Sequence, residues 1–379
     1  MSHADTPAKE KKVEYLELIY DLIFVFIIGR NNSLLQHAEG GFLPGWVFWT
    51  YVLGTLAVIQ IWNFSTFYIN VYGRNGVRDH IFLFLNMFLL YFMAAGTSIY
   101  WQSSFYKYSA AWALILINLG AQYLIETRAH KGDAAVLRQL RQKAAVILAE
   151  AALVGVHMVV YALWGEPIPY VPIGFGMLCM LILGRSGALA PVDFPHLTER
   201  AMLYVVFTFG EMIIAAASYF GEGFSMRGVY FAAMVFLIVA GLFLSYGAVY
   251  NKLIDRERET NGVGYMLIHI FLIFGLNNIS AALEFMREES VSLLPKTLFL
   301  IGSFVIYYAF LFLTGLYAKQ RCGFRPKFVL SLAGTAAVFA ALMLLLRENM
   351  ALNIAVTAVF VYAVFTLLWL HGRKTAGSQ

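Results

Sequence analysis

Glu17-Leu-Ile-Tyr-Asp21-Leu-Ile-Phe-Val-Phe sets two acids one helical turn apart inside a stretch apolar enough to cross a bilayer. At about 100° per residue, Glu17 and Asp21 share one face of a helix, with Glu14 a turn earlier on the same side. A carboxylate in hydrocarbon costs at least about 2.5–3.5 kcal/mol. This face is therefore expected to turn toward a polar cavity or a charged partner inside a bundle of helices.

The rest of the chain has the same character. Hydrophobic residues make up 60% of it and charged residues 13%, about half the charged share of an average soluble domain. Mean hydropathy is +0.70. A globular fold of 379 residues cannot bury so much apolar surface, so lipid must solvate it. Apolar stretches of spanning length recur at 15–36, 45–71, 80–101, 109–127, 145–164, 168–190, 197–220, 228–250, 262–285, 295–318, 328–346 and 350–371. They predict an all-α polytopic membrane helix bundle of about twelve transmembrane helices. The polar, lysine-containing tail 1–14 leads directly into the first span without a cleavable signal pattern, and a short tail, 372–379, ends the chain.

Charge sets the expected orientation. With both termini and every second loop on one side, 21 of the 27 Lys and Arg residues fall there and 6 on the other. The positive-inside rule then puts both termini in the cytoplasm and the basic loop 128–143 along the cytoplasmic leaflet. His37, Tyr106 and Ser225 are expected outside. The formal charge of +5 is ordinary for such a protein, and no nucleic-acid partner is expected. Two cysteines in separate segments offer neither a disulfide framework nor metal spacing.

A shift of 182 residues places Glu17 on Glu199, Phe64 on Tyr246, Tyr68 on Tyr250 and Arg74 on Arg256. It suggests two six-helix halves, 15–190 and 191–371, related as a parallel 6+6 repeat. Chance similarity between any two six-helix halves is the competing explanation.

Polar residues inside the spans mark the candidate site. The seventh span opens with His196-Leu-Thr-Glu199-Arg200 and continues to Glu211. His196, Glu199 and Arg200 cluster on one face of its first turn, where they could form an interfacial salt-bridge cluster. Glu211 lies about 16 Å further along the axis and needs a partner elsewhere. In the second span Asn63, Thr66 and Asn70 form a polar stripe, either inter-helix hydrogen bonding or one wall of a wet cavity. The ninth span adds His269, Asn277 and Glu284, and the fourth adds Asn118 and Gln122. His157, isolated in the fifth span, reads as a satisfied packing residue. A single His-x-x-Glu without a mate does not make a metal site, and no nucleotide, hydrolase or zincin motif is present. Neither a cofactor nor a metal is expected.

These residues resemble a known family. The opening Glu17–Phe26 stretch is similar to the acidic first-helix signature Glu-Leu-Phe-Phe-Asp-Leu-Val-Phe-Val-Phe of the bacterial low-temperature-requirement A (LtrA) family. Trp62 through Tyr68, Asn70, Tyr72 and Asp79 are spaced as in that family, and His196-Leu-Thr-Glu199-Arg200 followed by Phe209-Gly210-Glu211 resembles its His-Phe-x-Glu-Arg…Leu-Gly-Glu. The resemblance implies a multi-pass protein of the bacterial inner membrane, linked by name to growth in the cold, and supplies no reaction.

The leading functional reading is a secondary transporter or permease for an unidentified small solute or ion. Its acidic intramembrane site would draw on Glu17, Asp21, Asn63, Glu199, Arg200, Glu211 and His269, with His196, Asn70, Asn277 and Glu284 as secondary members. Two other readings remain open: a membrane-embedded enzyme of envelope lipid or polymer metabolism using His196, Glu199 and Arg200 at the membrane surface, and a non-catalytic adaptor. Membrane lipid is the one partner that composition requires.

Overall fold

In the computed structural model, residues 11–37, 39–98, 101–185, 192–217, 225–319, 324 and 326–376 are described. Among these residues twelve α-helices follow one another. They are α1 (Tyr15–Asn32, continued by a 3-10 turn at Ser33–Gln36), α2 (Gly45–Tyr72), α3 (Val77–Ala95), α4 (Trp101–Glu126), α5 (Ala134–Trp164), α6 (Tyr170–Arg185), α7 (Phe194–Ala216), α8 (Met226–Lys252), α9 (Val263–Arg287), α10 (Leu293–Leu313, with a 3-10 turn at Thr314–Tyr317), α11 (Pro326–Leu345) and α12 (Met350–Ala376). Among the described residues no strand forms, and only two isolated bridges occur, Glu39 with Phe42 and Ile254 with Ala318. The chain is a polytopic helical bundle.

Ten of these helices are long and apolar enough to cross a membrane. The other two differ in length or in charge. In α6 the described part is short, at 16 residues. In α7 the 23 residues are long enough, but they carry Glu199, Arg200 and Glu211. A helix with this charge can lie in a bundle only if neighbouring helices supply partners.

Several boundaries differ from the sequence reading. Helix α5 begins at Ala134 rather than 145, so the expected loop 128–143 shrinks to a turn before Asp133. Asp133 caps the helix by accepting from the N–H groups of Ala135 and Val136, and Ala, Leu, Arg, Gln and Lys that follow are strong helix formers. Their charge reads as a loop although their propensity is helical. In the same way α4 starts at Trp101 and takes in Tyr106. Helix α12 runs to Ala376, into the expected C-terminal tail, and the expected junction of the two halves at 190–191 lies outside the described residues.

Direct contacts establish which ends share a face. Glu17 of α1 meets His196 and Arg200 of α7, and Gly29, further along α1, meets Glu211, further along α7. The two helices therefore run parallel, which requires an odd number of crossings between them and counts α6 among the five, α2 to α6. The backbone N–H of Val192, just before α7, donates to the carbonyl of Thr260 in the loop after α8. The side chain of Lys252, ending α8, lies against Gly372 near the end of α12. Both ends of the described chain consequently sit on one face of the bundle.

Helices α2 and α9 run through the middle. In their most apolar stretches 78% and 83% of residues are buried, against 17% in α11, which faces outward. Lipid tails are as apolar as leucine, so close packing rather than water exclusion holds such helices together. Gly275 of α9 shows this: a Cβ there would lie 2.9 Å from the backbone of Tyr307 in α10. Gly96, ending α3, approaches the backbone of Tyr108 in α4 just as closely. The packing order also recurs. Within the first six helices α1 packs on α2 and α3, α3 on α4, α4 on α5, α5 on α6 and α2 on α6. The same pairs, six places on, are in contact in the second six.

Reporter fusions at Gly40, Gly165 and Ser225 should all read on one side of the membrane, and fusions at Lys131 and after Gly372 on the other. Gly165 replaces Tyr106 as a reporter site because Tyr106 lies inside α4. A split among the first three would overturn the arrangement of crossings.

Candidate functional site

The start of α7 is built to be rigid. Asp193 is its N-cap, its carboxylate accepting from the backbone of His196 at 3.0 Å, with Pro195 in the first turn. The other carboxylate oxygen accepts from the backbone of Lys11 at 3.1 Å, which ties the N-terminal segment to this turn. Asn70 of α2 binds the Asp193 backbone twice. Its Oδ1 accepts from the N–H at 3.0 Å and its Nδ2 donates to the carbonyl at 2.8 Å. This fixes which end of the amide is which, and the second Nδ2 hydrogen faces His196 Nδ1 at 3.0 Å. A neutral ring that accepts at Nδ1 carries its hydrogen on Nε2, and Nε2 lies 3.3 Å from Glu17 Oε2.

One turn on, Arg200 enters the bundle and is wholly buried. Its guanidinium pairs with Asp21 through Nη2 and stands 3.4 Å from Glu17 Oε2 through Nη1. Asp21 also accepts from the indole N–H of Trp62 in α2 at 2.8 Å, and the guanidinium lies 6.0 Å from that ring's centre. The two acids one turn apart on α1 thus bracket one arginine of α7. The cluster is incompletely hydrogen-bonded: Asp21 Oδ2, Arg200 Nε and the Tyr204 hydroxyl are buried without partners.

A cavity of about 790 Å³ opens beside this cluster on the face that carries the termini. Glu17 lines it together with Lys11, Glu14, Arg74 and Asp79, so both signs of charge meet there. Lys11 holds its ammonium on the carbonyls of Ile69 and Gly73 at the end of α2. Burial lowers the pKa of Lys11, while Glu17 acts in the opposite sense.

From Arg200 a polar row continues along α7 through Tyr204 and Thr208 to Glu211, at helical spacings of four, four and three. The Tyr204 ring packs 4.5 Å from Trp62. Glu211 is half-buried, with its carboxylate directly over Gly29, where any Cβ would collide with it. Beyond Gly29, Asn31 accepts from Thr97, Asn32 donates to Asn277 at 3.3 Å, and Gln36 donates to Glu284 at 2.9 Å. Polar groups thus follow the line of α1 from one face of the bundle toward the other.

The fold therefore assembles Glu17, Asp21, Asn70, His196 and Arg200 at one point. Asn277 and Glu284 lie at the far end of the same line. Glu199 stands apart, half-buried on α7 and without a hydrogen bond or ion pair among the described residues. Asn63 is half-buried with its Oδ1 unpartnered. His269 belongs to a different cluster, donating from Nδ1 to the Tyr265 carbonyl and meeting the Tyr246 hydroxyl at Nε2. The interfacial cluster expected of His196, Glu199 and Arg200 does not form, because His196 and Arg200 turn inward to α1.

Trp62, quoted in the sequence only for its resemblance, and Asp193, not singled out there, complete the site, and the Asp-Phe-Pro-His order is itself a legible helix start. Other residues of weight were not named as site candidates. Glu126, wholly buried at the end of α4, gathers Arg74, Arg78, His130 and the Tyr68 hydroxyl. Two arginines there offset a carboxylate placed against the unfavourable end of the helix dipole. Glu150, in the middle of α5, is buried with Gln60 as its partner at 3.3 Å. As a lone acid in an apolar span, it was visible in the sequence.

The profile of the bacterial low temperature requirement A protein (LtrA) family matches residues 12–365, nearly the whole chain, and the protein belongs to that family. No curated protein matches it closely enough to be counted a relative.

Replacing Arg200 with Leu leaves Asp21 and Glu17 buried without their cation, and should cost about 3–5 kcal/mol of stability. Asp21→Leu strands the guanidinium and should also destabilise. Combining Asp21→Leu with Arg200→Leu should cost less than the two separate losses together, because the pair is then removed whole. Unfolding of the purified protein in detergent measures all three, and strict additivity would show that the pair is not coupled.

Proposed function

We propose that the protein is a secondary transporter or permease of the bacterial inner membrane, with both termini in the cytoplasm. Its acidic site would bind a cation or relay protons for an unidentified small solute. The observation that carries this reading is the charge balance beside the cavity: two carboxylates, Glu17 and Asp21, share a single arginine. Asp21 is enclosed by Arg200 and Trp62, whereas Glu17 lines the open cavity. Glu17 is thus the acid placed to exchange a proton or cation with the cavity. His196 and Lys11 stand near Glu17 as well as Arg200, and the opening to the cavity is what would let a proton or cation alter that balance.

The arrangement of helices supports the same reading. Parallel α1 and α7, flanked by equivalent partners, fit two six-helix halves related by an axis along the membrane normal. Transporters of this construction bind their substrates between the halves and alternate access by rocking one against the other. The polar row from Glu17 to Glu284 lies along that junction. The enzyme reading would require His196 and Glu199 to meet a substrate at the membrane surface. It has less support, because His196 is wholly buried between Asn70 and Glu17.

The test is complementation of cold growth in a deletion strain, with each variant's membrane level measured in parallel. Glu17→Gln should abolish complementation at a normal membrane level, since an amide keeps the shape of the acid but cannot cycle a charge, and Asp21→Asn should abolish it by leaving Arg200 without its charged partner. Glu199→Gln should be tolerated. Active Glu17→Gln and Asp21→Asn beside a normally inserted but inactive His196→Ala would overturn the transporter reading and favour the enzyme.

A further inference from the structure

A second cavity, of about 650 Å³, lies among α2, α4, α5 and α6 at the end of the bundle opposite the termini. It is separate from the acidic site. Its walls are nearly all aromatic or aliphatic, and no Lys, Arg, Asp or Glu lines it. Two of its lining side chains nevertheless carry unanswered polar groups. His157 and Trp112 are each 1% exposed, and His157 Nε2 and Trp112 Nε1 have no hydrogen-bond partner.

Both groups are donors. The indole nitrogen of Trp112 can only donate. The backbone N–H of Ile168, in the turn between α5 and α6, donates to His157 Nδ1 at 2.9 Å. A neutral His157 ring therefore carries its hydrogen on the unpartnered Nε2. The other polar groups nearby are already engaged, with Tyr108 donating to the Gly54 carbonyl and Thr50 to that of Trp46. Both donors belong to side chains that line one apolar cavity, and because an unmet buried donor is costly, a ligand that brings acceptor oxygens would suit it.

The mouth of the cavity identifies the source. Trp46, Trp49 and Tyr170 line it and are 52%, 62% and 59% exposed, at the first turns of α2 and α6. Exposed Trp and Tyr at helix ends mark the membrane interface, the depth at which the ester carbonyls of glycerolipids lie. The absence of a charged lining residue favours an uncharged oxygen over a phosphate. We propose that this cavity is a glycerolipid site, in which ester carbonyl oxygens accept from His157 and Trp112 and an acyl chain leaves past Trp46 and Trp49.

The full-length protein, reconstituted in phosphatidylethanolamine and phosphatidylglycerol vesicles containing an acyl-diazirine phosphatidylethanolamine, tests this by photolabelling and peptide mapping. Labelling should concentrate in residues 46–57 and 167–173 relative to outward-facing α11. Trp112→Phe and His157→Phe should each lower it about fivefold, the equivalent of one neutral hydrogen bond. His157→Gln, which retains both an acceptor for Ile168 and a donor, should restore it. Leu53→Trp, which fills the cavity from α2 and leaves both donor residues in place, should abolish it and serves if a donor variant fails to insert. Labelling of these segments no stronger than that of α11, labelling unchanged by Leu53→Trp, or competition by an isoprenoid quinone but not by unlabelled glycerolipid would each overturn the proposal.

Discussion

The ion pair between Asp21 and Arg200 is the constraint to which α1, α2 and α7 are fitted. Neither charge can remain in hydrocarbon alone, so α1 and α7 must lie side by side with these two residues level. That register brings Glu17 within reach of both His196 and Arg200 and sets Glu211 over Gly29. Trp62 then joins the pair from α2, while Asn70, on the same helix, clamps the turn that starts α7. A polar pair that is poor in net stabilisation can still be strong in specification. Here it selects one parallel pairing of two helices among many that apolar packing alone would allow.

The same pair shows how α7 can lie in the bundle although it carries Glu199, Arg200 and Glu211, for Arg200 is wholly enclosed and paired rather than turned to lipid. Glu126 illustrates the principle at the edge of the bundle, where two arginines and a histidine converge on one buried acid. Glu150 is different. Its partner is an uncharged glutamine, and both retain an unpartnered oxygen in the middle of α2 and α5.

Water exclusion contributes little between helices already in lipid, so shape carries more of the packing. Bare backbone at Gly275 and Gly96 lets neighbouring helices approach more closely than any side chain would permit. At Gly29 the same bareness admits a carboxylate rather than a backbone. The aromatic residues act in the opposite way. They fill the centre around α2 and α9, and at the ends of α2 and α6 they line a pocket shared with Trp112 and His157, whose donors lack partners.

Hydrophobic run length was enough to read the class of fold and most of the spans, because a bilayer demands stretches of fixed length with satisfied backbones. The first span, 15–36, coincides with α1 and its terminal turn. Run length failed where helices extend beyond the apolar layer: Ala134–Ala144 of α5 is helical and charged, and only its cap at Asp133 marked the start. The candidate acids were legible too, since a carboxylate within a span is conspicuous against hydrocarbon. Their partners were not. His196 and Arg200 lie 175 or more residues from Glu17 and Asp21 in the chain, and periodicity reports only which face a residue occupies. Tertiary packing decided that Asp21 meets Arg200, that Glu199 stands aside, and that His157 keeps an unmet donor. Such pairings depend on which helices become neighbours, and local sequence does not encode that distance.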